Sequence, residues 1–200
     1  STVESNNMLS KRQIEQRKLR KESILDGALK VFKAHGIDKT TMDEIAIKSG
    51  FGKATLYYYF ASKDEVFIAI MEDGWKQLWE GIESRIVEEL SPRKKFMRII
   101  KKMASIVKDN RILYGFLFTA PNHIHDESKQ IWKTYQERLY AILKSIIEEG
   151  IKKKEFIDID PGMLMKAIGG LFHGLLIEND DDLNEQDFEF MLKNFLKPNN

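Results

Sequence analysis

The sequence predicts an all-α protein of about nine helices, with a three-helix helix-turn-helix head near the N-terminus and a larger helical body after it. Apolar residues recur at the spacing of an amphipathic helix over most of the 200 residues. Capping signals separate one apolar stripe from the next, and only four prolines occur along the chain. The predicted boundaries are a flexible basic tail over residues 1–17, the head over residues 18–60 and the body over residues 61–200.

Residues 40–63 organise the head, because they predict two short helices joined by a tight turn. Thr41 and Glu44 have the spacing of a capping box, in which a hydroxyl and a carboxylate each accept a backbone N–H. The second helix is expected to start near Gly52 or Lys53. A helix-turn-helix needs a small residue at the helix contact, a glycine in the turn and a large aliphatic side chain between the helices, and the sequence supplies Ala46, Gly50 and Leu56.

The second short helix carries polar and aromatic side chains that packing alone does not require. A plain helical hairpin is the alternative interpretation, but a helix of about two turns buries only one stripe of its surface. Several of its polar groups must therefore face solvent, where a lysine and hydroxyl groups suit the phosphates and base edges of DNA. These residues are Lys53, Thr55, Tyr57, Tyr58 and Tyr59.

A wider set of positions, which spans roughly residues 20–68 and includes the helix-turn-helix, resembles the tetracycline-repressor (TetR) family of transcriptional regulators. The family often has serine where Gly52 stands, and glycine offers no hydroxyl for a phosphate contact. The resemblance implies a DNA-binding head, and a body that dimerises and encloses a ligand pocket among helices 4 to 8. The positions that carry it are Gly36, Thr40-Thr41, Ile45-Ala46, Gly50, Thr55-Leu56-Tyr57-Tyr58-Tyr59-Phe60 and Ser62-Lys63.

The resemblance also implies which residues meet double-stranded DNA. The phosphate-contacting positions correspond to Thr41, Tyr57, Tyr59 and Lys63, and the positions nearer the bases to Lys53, Thr55 and Tyr58. The charge distribution agrees, since residues 1–63 hold 12 Lys and Arg against 7 Asp and Glu, whereas residues 64–200 hold 20 against 24. The basic residues of the segment 10–21 are interpreted either as the solvated start of a helix or as an arm that follows the DNA backbone or enters the minor groove.

The body is predicted to continue as six helices with capping residues at their starts and ends. Ser62 with Glu65 starts the first of them, which is expected to run to about Leu90. Gly150 is expected to terminate a helix that ends at Glu149. The other helices are expected to begin near Pro92, Ile112, Asp126, Pro161 and Asn184.

Aromatic and methionine residues of the body are candidates for lining the pocket. As a group they predict an apolar or aromatic small-molecule effector, although an aromatic stripe at helical spacing more often forms core than a ligand site. The candidate ligand-binding residues are Met71, Trp75, Trp79, Phe96, Met103, Phe116, Trp132, Tyr135 and Phe172.

The two C-terminal helices are candidates for the seam of a homodimer. The first of them, which begins near Pro161, is apolar nearly all round and contains three glycines, so another backbone can approach it closely. Packing within the same chain is the alternative for this apolar surface. The candidate dimerisation residues are Gly170, Leu171, Leu175, Phe188, Leu192 and Phe195.

No residue pattern points to an enzyme, a metal or a cofactor. The chain has no cysteine, and it shows no nucleophile–base pair and no Gly-rich phosphate loop. His123 and His125, with the acids that follow them, are interpreted as a solvated loop, and a cation site at residues 180–182 has weak support. No apolar run approaches the ~18 residues of a membrane span, and the polar start is unlike a signal peptide, so a cytoplasmic location is expected.

The predicted function is that of a dimeric, sequence-specific transcriptional regulator. The expected mode of action is repression, with a small apolar or aromatic ligand releasing the protein from a palindromic operator. The alternative is a helical DNA-binding protein without effector control, which the head fits equally well. The size of the body argues against that alternative, because DNA binding alone needs much less protein.

Overall fold

The computed structural model describes residues 10–120, 131–176 and 185–197, without the side chains of residues 175, 176 and 185. Within these residues the chain forms nine α-helices and no strand, which confirms the all-α prediction. The helices are α1 (Lys11–His35), α2 (Met42–Ser49), α3 (Lys53–Tyr59), α4 (Lys63–Ile86), α5 (Pro92–Asp109), α6 (Arg111–Thr119), α7 (Trp132–Lys152), α8 (Pro161–Leu176) and α9 (Glu185–Phe195).

The chain divides into two compact units, of which the first ends at Ile70 and the second begins at Met71. The first unit contains α1, α2 and α3, and the second contains α5 to α9. Helix α4 begins in the first unit at Lys63 and ends in the second at Ile86. The division therefore falls inside a helix, whereas the sequence prediction placed it between residues 60 and 61, before that helix starts.

Helix α1 begins earlier than predicted. The Ser10 hydroxyl accepts a hydrogen bond from the Gln13 N–H at 3.3 Å, and the Gln13 side chain accepts one from the Ser10 N–H at 2.8 Å. This capping box satisfies backbone donors at the helix start. Residues 11–17, predicted as part of a flexible tail, are consequently helical, and residues 1–9 lie outside the described residues.

The first unit brings α1 and α2 together at very short range. Gly27 of α1 is buried, and a Cβ built on it would lie 2.8 Å from backbone atoms of Ser49 in α2. Ala46, the small residue that the helix-turn-helix pattern requires, is also buried. The contact thus depends on a small residue in each helix, and it covers a core of Ile24, Ala28, Phe32, Ile45 and Leu56.

In the second unit, α4 packs through its own glycines. A Cβ on Gly74 would lie 2.5 Å from a methyl carbon of Leu117 in α6, and a Cβ on Gly81 would lie 2.4 Å from the side chain of Ile106 in α5. Helix α5 in turn contacts α7, α8 and α9. The buried core of this unit includes Phe96, Ile99, Val107, Leu143 and Ile147.

Arg93 at the start of α5 connects α5 to the C-terminal end of α9. Its guanidinium donates to the backbone carbonyls of Lys193 at 2.6 Å, Leu196 at 3.3 Å and Glu155 at 3.1 Å. The carbonyls in the last turn of a helix have no partner within the helix, so this arginine caps α9.

Two helix ends differ from the predictions. Helix α7 passes through Gly150 and ends at Lys152, and the residue with positive φ that follows it is Lys154, at 58°. A Cβ on Gly150 would lie 2.2 Å from the Phe156 ring, so the glycine makes room for packing. Helix α4 ends at Ile86 instead of near Leu90. The chain turns there, and the Glu88 carboxylate accepts hydrogen bonds from the guanidinium groups of Arg85 and Arg98.

The loop histidines His123 and His125 and the acids at residues 180–182 lie outside the described residues. In the part of the chain that the structure covers, no three His, Cys, Asp or Glu side chains are grouped as metal ligands would be. The same described helices include none with the length and apolarity needed to cross a membrane.

Candidate nucleic-acid interface and ligand cavity

Helix α2 starts with the capping box that the sequence predicts. The Thr41 hydroxyl oxygen accepts the Glu44 N–H at 3.2 Å, and the Glu44 carboxylate accepts the Thr41 N–H at 2.8 Å. The same carboxylate accepts the Thr41 hydroxyl proton at 3.0 Å. Donation by the Thr41 backbone N–H and then by its hydroxyl lowers the pKa of Glu44. Thr41 itself is exposed, at the solvent-facing start of the helix.

The turn between α2 and α3 also forms as predicted. Gly50 has φ 75° and ψ 22°, the left-handed conformation that glycine adopts without strain, and its N–H donates to the Ala46 and Ile47 carbonyls. Gly52 caps α3 without a side-chain hydrogen bond. Leu56 is fully buried and Phe60 nearly so, which anchors one side of α3 and leaves the opposite side to solvent.

The solvent side of α3 presents the predicted DNA-binding residues. Lys53 is exposed, and Tyr57 and Tyr58 are 46% and 69% exposed, while Thr55 and Tyr59 are half-buried. The rings of Tyr58 and Tyr59 meet edge to face at 5.2 Å. Such a surface combines a cation, hydroxyl donors and aromatic faces, which are the groups that contact phosphate and bases.

Lys53 has a partner on the preceding helix. Its ammonium lies 2.8 Å from Oδ1 of Asp43 in α2, and this hydrogen bond and charge raise the pKa of Lys53. Both side chains are more than half exposed, so the ion pair contributes little stability. The Lys53 side chain lies at the start of α3 and faces solvent.

The basic first turns of α1 lie beside α3. The Arg17 guanidinium carbon is 5.7 Å from the centre of the Tyr58 ring, and the Lys21 ammonium is 5.9 Å from the centre of the Phe60 ring. The sequence pattern left these cations as either a solvated helix start or a DNA-binding arm. The structure places Arg17 next to a predicted base-contacting residue, and the cation-rich composition of residues 10–21 was the available signal.

Lys63 is the predicted DNA contact whose surroundings differ most from expectation. It is half-buried in the first turn of α4, and its ammonium donates to three backbone carbonyls of the same chain. The phosphate contact implied for it stays a prediction, and no sequence pattern indicated this internal role.

A cavity of ≈ 270 Å³ lies in the second unit, between side chains of α5, α6, α7 and α8. Its walls are apolar apart from His173, which places an imidazole at the cavity. Three predicted ligand-binding residues line it, namely Phe96, Met103 and Phe172. The lining residues that the sequence analysis missed are Ile100, Phe118, Leu143, Met165, Ile168, Gly169 and His173.

Six predicted ligand-binding residues do not line this cavity. Trp75 packs edge to face on Phe118 with ring centres 5.4 Å apart, and the ring of Trp79 is covered by the Arg138 guanidinium at 4.4 Å. These tryptophans fill space between helices, as core aromatic residues generally do. The six are Met71, Trp75, Trp79, Phe116, Trp132 and Tyr135.

Two of the buried indole groups lack a hydrogen bond. The Nε1 atoms of Trp75 and Trp132 have no acceptor in the described part of the chain, and both side chains are less than 9% exposed. The all-round apolarity of α8 was the available signal for the cavity lining, and this helix supplies four of the lining residues that were not predicted.

The predicted dimerisation residues separate into two groups. Phe188 and Leu192 are 5% and 2% exposed and pack inside their own chain, where the Phe188 ring meets the Phe172 ring at 6.2 Å. Both belong to the core of their own chain, as the alternative of packing within the same chain predicts, and a further role at a dimer seam stays a prediction. Gly170 and Phe195 are exposed, Leu171 is half-buried, and the side chain of Leu175 is outside the described residues. Exposed apolar side chains that the prediction missed on α8 and α9 are Met163, Phe190 and Met191.

Comparison with known proteins matches both units. A family model described as bacterial regulatory proteins, tetR family, matches residues 24–70, and one described as tetracyclin repressor-like, C-terminal domain, matches residues 89–176. Together they span more than half of the chain. The fatty acid metabolism regulator protein of Bacillus subtilis (strain 168) is 24% identical over 149 residues, which are 73% of this chain and 77% of that protein.

Solved structures share the fold. The TetR family transcriptional regulator PfmR from Thermus thermophilus aligns with a TM-score of 0.72 at 20% identity, over 86% of this chain and 94% of its own. AibR in complex with isovaleryl coenzyme A and operator DNA aligns with a TM-score of 0.74 at 18% identity, over 88% and 97% of the two chains. With a helix-turn-helix in the first unit and family matches in both, the chain belongs to the TetR family of DNA-binding transcriptional regulators.

Proposed function

We propose that the protein is a dimeric repressor that binds a palindromic operator and is released from it by a small apolar ligand. The observation that carries the effector half of this proposal is the ≈ 270 Å³ cavity, whose walls are apolar with one imidazole. Ligand sites in proteins are concave and mostly apolar, with a few polar groups that orient the ligand. The DNA-binding half is supported by the exposed polar side of α3.

For the DNA contacts we retain the predicted residues of α2 and α3. Lys53 at the start of α3 is proposed to meet a guanine edge, Thr55 and Tyr58 neighbouring bases, and Thr41, Tyr57 and Tyr59 phosphates. The exposure of Lys53, Tyr57 and Tyr58 supports this assignment. We add Arg17, which lies against the Tyr58 ring, as a cation that can contact the phosphate backbone of the DNA.

For the effector we propose a ligand with a short acyl chain. The cavity of ≈ 270 Å³ is below the usual range of about 300–1,000 Å³ for ligand pockets, so we propose that it takes a short acyl group and leaves a bulky carrier outside. The names of two similar proteins support this class, since one regulates fatty acid metabolism and the other holds isovaleryl coenzyme A. His173 is the polar side chain in the cavity wall.

For the dimer we propose the exposed apolar residues of α8 and α9. Phe190 is 67% exposed, and Met163 is 59% exposed. Among the described residues, no atom beyond the chain neighbours and the adjacent backbone of α8 lies within 4 Å of a Cβ built on Gly170, so a partner backbone has room to approach that side. A two-fold dimer presents two equivalent α3 helices, which is why a palindromic operator is expected.

The experiment is a linkage titration. A DNA fragment is first selected from a random pool by the wild-type protein, and isovaleryl coenzyme A and longer acyl esters are then titrated with and without saturating fragment. Helix α4 belongs to both units, so it is the proposed route of coupling. A usual coupling weakens DNA binding roughly 5–150-fold, and DNA must weaken ligand binding by the same factor.

Two variants serve as controls in the titration. Met165→Trp fills the cavity and should remove the acyl ester response, whereas Trp79→Phe changes a residue that does not line the cavity and should keep it. Equal ligand affinity with and without DNA would contradict effector control. That result, with no ligand-dependent shift in melting temperature, would favour the effector-independent DNA-binding alternative.

A further inference from the structure

The positively charged ammonium of Lys63 binds backbone carbonyls of its own chain. Its ammonium donates hydrogen bonds to the backbone carbonyls of Ile37, Asp38 and Thr40, with Nζ–O distances of 2.9, 2.9 and 3.2 Å. A lysine ammonium has three donors, and the three carbonyls accept all of them. Since the side chain is half-buried, the carbonyls replace much of the water that would otherwise solvate the charge.

The three carbonyls belong to the loop that joins α1 to α2. Gly36 ends α1 with φ 79°, and the buried Thr40 donates its hydroxyl to the Gly36 carbonyl at 2.7 Å. Carbonyl dipoles that converge on one point repel each other unless a cation lies between them. The Lys63 ammonium is that cation, so it stabilises this conformation of the loop.

The ammonium also connects the two ends of the helix-turn-helix. The loop leads directly into Thr41, which caps α2, whereas Lys63 follows α3 and begins α4. One side chain therefore joins the segment before the DNA-binding helices to the segment after them, entirely within the first unit. Moving the loop would move the α2 start and the Thr41 hydroxyl with it.

We propose that Lys63 is a positioning residue for DNA binding, whose ammonium clamps the segments that flank the helix-turn-helix. This inference rests on the proposed DNA-binding function, and it replaces the phosphate contact that the family resemblance implies for this lysine. Both the charge of the group and its compact three-donor shape are required, because three carbonyls must be met at one point.

Substitution by arginine separates positioning from phosphate contact. Lys63→Arg keeps the positive charge and suits phosphate at least as well. The donors of a guanidinium diverge from a planar fork, as those of Arg93 do toward three separate carbonyls, so they fit poorly around one point on which three carbonyls converge. Positioning predicts that Lys63→Arg weakens binding to the selected DNA fragment about tenfold, or about 1.4 kcal/mol, whereas a direct phosphate contact predicts retained affinity. Retained affinity for the selected fragment in Lys63→Arg would overturn the proposal.

Lys63→Ala tests the three-donor requirement by chemical rescue. The shortened side chain leaves the carbonyls without their cation, and n-propylammonium chloride should restore part of the lost affinity. Tetramethylammonium chloride at the same concentration is the control for ionic strength, because it has no N–H donor. Lys39, an exposed lysine of the same loop, supplies the matched substitutions Lys39→Arg and Lys39→Ala, which should bind like the wild type. Equal effects of both salts on Lys63→Ala would count against the clamp.

Amide hydrogen exchange tests the clamp without DNA. The Thr40 N–H donates to the Ile37 carbonyl at 3.2 Å and the Glu44 N–H to the Thr41 hydroxyl, so both should exchange faster in Lys63→Arg while the α1 core stays protected. Wild-type exchange at both amides would overturn the clamp whether or not DNA binds. A wild-type protein that selects no DNA contradicts the proposed function instead, and the exchange rates then decide about Lys63 alone.

Discussion

The helix-turn-helix and the ligand cavity are built over different distances along the chain. The first needs partners a few residues apart, such as Thr41 with Glu44 and Gly50 with Ala46. The cavity takes its walls from four helices, from Phe96 to His173. Local hydrogen bonds and turn conformations require particular residues at short spacings, so the sequence predicts them. A cavity between helices requires no such spacing. The helix-turn-helix could therefore be predicted residue by residue, whereas the lining of the cavity could not.

The largest expected effect comes from adding charge at the end of the chain, where the sequence could not separate core from dimer seam. Leu192 is 2% exposed, so Leu192→Glu buries an unpaired carboxylate and should destabilise the second unit by several kcal/mol. Phe195 is 42% exposed, so Phe195→Glu should leave the monomer folded and shift a dimer to monomers. Sedimentation and urea unfolding of both variants separate these outcomes.

Similar behaviour of the two glutamate variants would weaken the distinction between buried and exposed faces of α9. Gln136→Glu on the exposed side of α7 is the control for added charge alone, and it should change neither stability nor assembly.

An intermediate effect is expected at Gly27, where the head depends on a contact between two helices and not only on neighbouring residues. Gly27→Val places side-chain atoms against the Ser49 backbone, which cannot move as a flexible side chain would. Overpacking of this kind costs about 1–3 kcal/mol, so urea unfolding followed by circular dichroism should show a lower free energy of unfolding. Ala34→Val, on the exposed side of the same helix, is the control for β-branching and should cost less than about 1 kcal/mol, the order of the helix-propensity difference. Equal losses would mean that close approach at Gly27 is unimportant.

The smallest effect concerns the capping box. Thr41→Ala should reduce stability by about 1 kcal/mol, the usual cost of a lost N-cap. The pKa of Glu44 is lower in the folded state than its usual value of 4.5, so its stabilising contribution is present above that value. It is lost as pH falls through the lowered pKa. The stability difference between wild type and Glu44→Gln should therefore shrink with acidification in that range, and a constant difference would contradict the hydrogen bonds at Thr41.

Particular residues show why local features could be predicted from the sequence and tertiary contacts could not. The capping box and Gly50 were predicted because each acts on its immediate neighbours. Gly150 has the same residue type as Gly50, yet it lies inside α7, where it makes room for the Phe156 ring instead of ending the helix. Lys63 reaches carbonyls more than 20 residues earlier in the chain, and this contact depends on a tertiary fold that residue type and spacing do not specify.

The burial of the tryptophans determines what optical spectroscopy of this protein can report. All three, at positions 75, 79 and 132, lie in the second unit and are at most 8% exposed, and two have an indole N–H without an acceptor among the described residues. Indole emission moves to longer wavelength when water relaxes around the excited ring, so unfolding of the second unit produces a red shift. Unfolding confined to the first unit leaves tryptophan emission unchanged while helical circular dichroism falls. Coincidence of the two transitions therefore measures directly whether the units unfold as one.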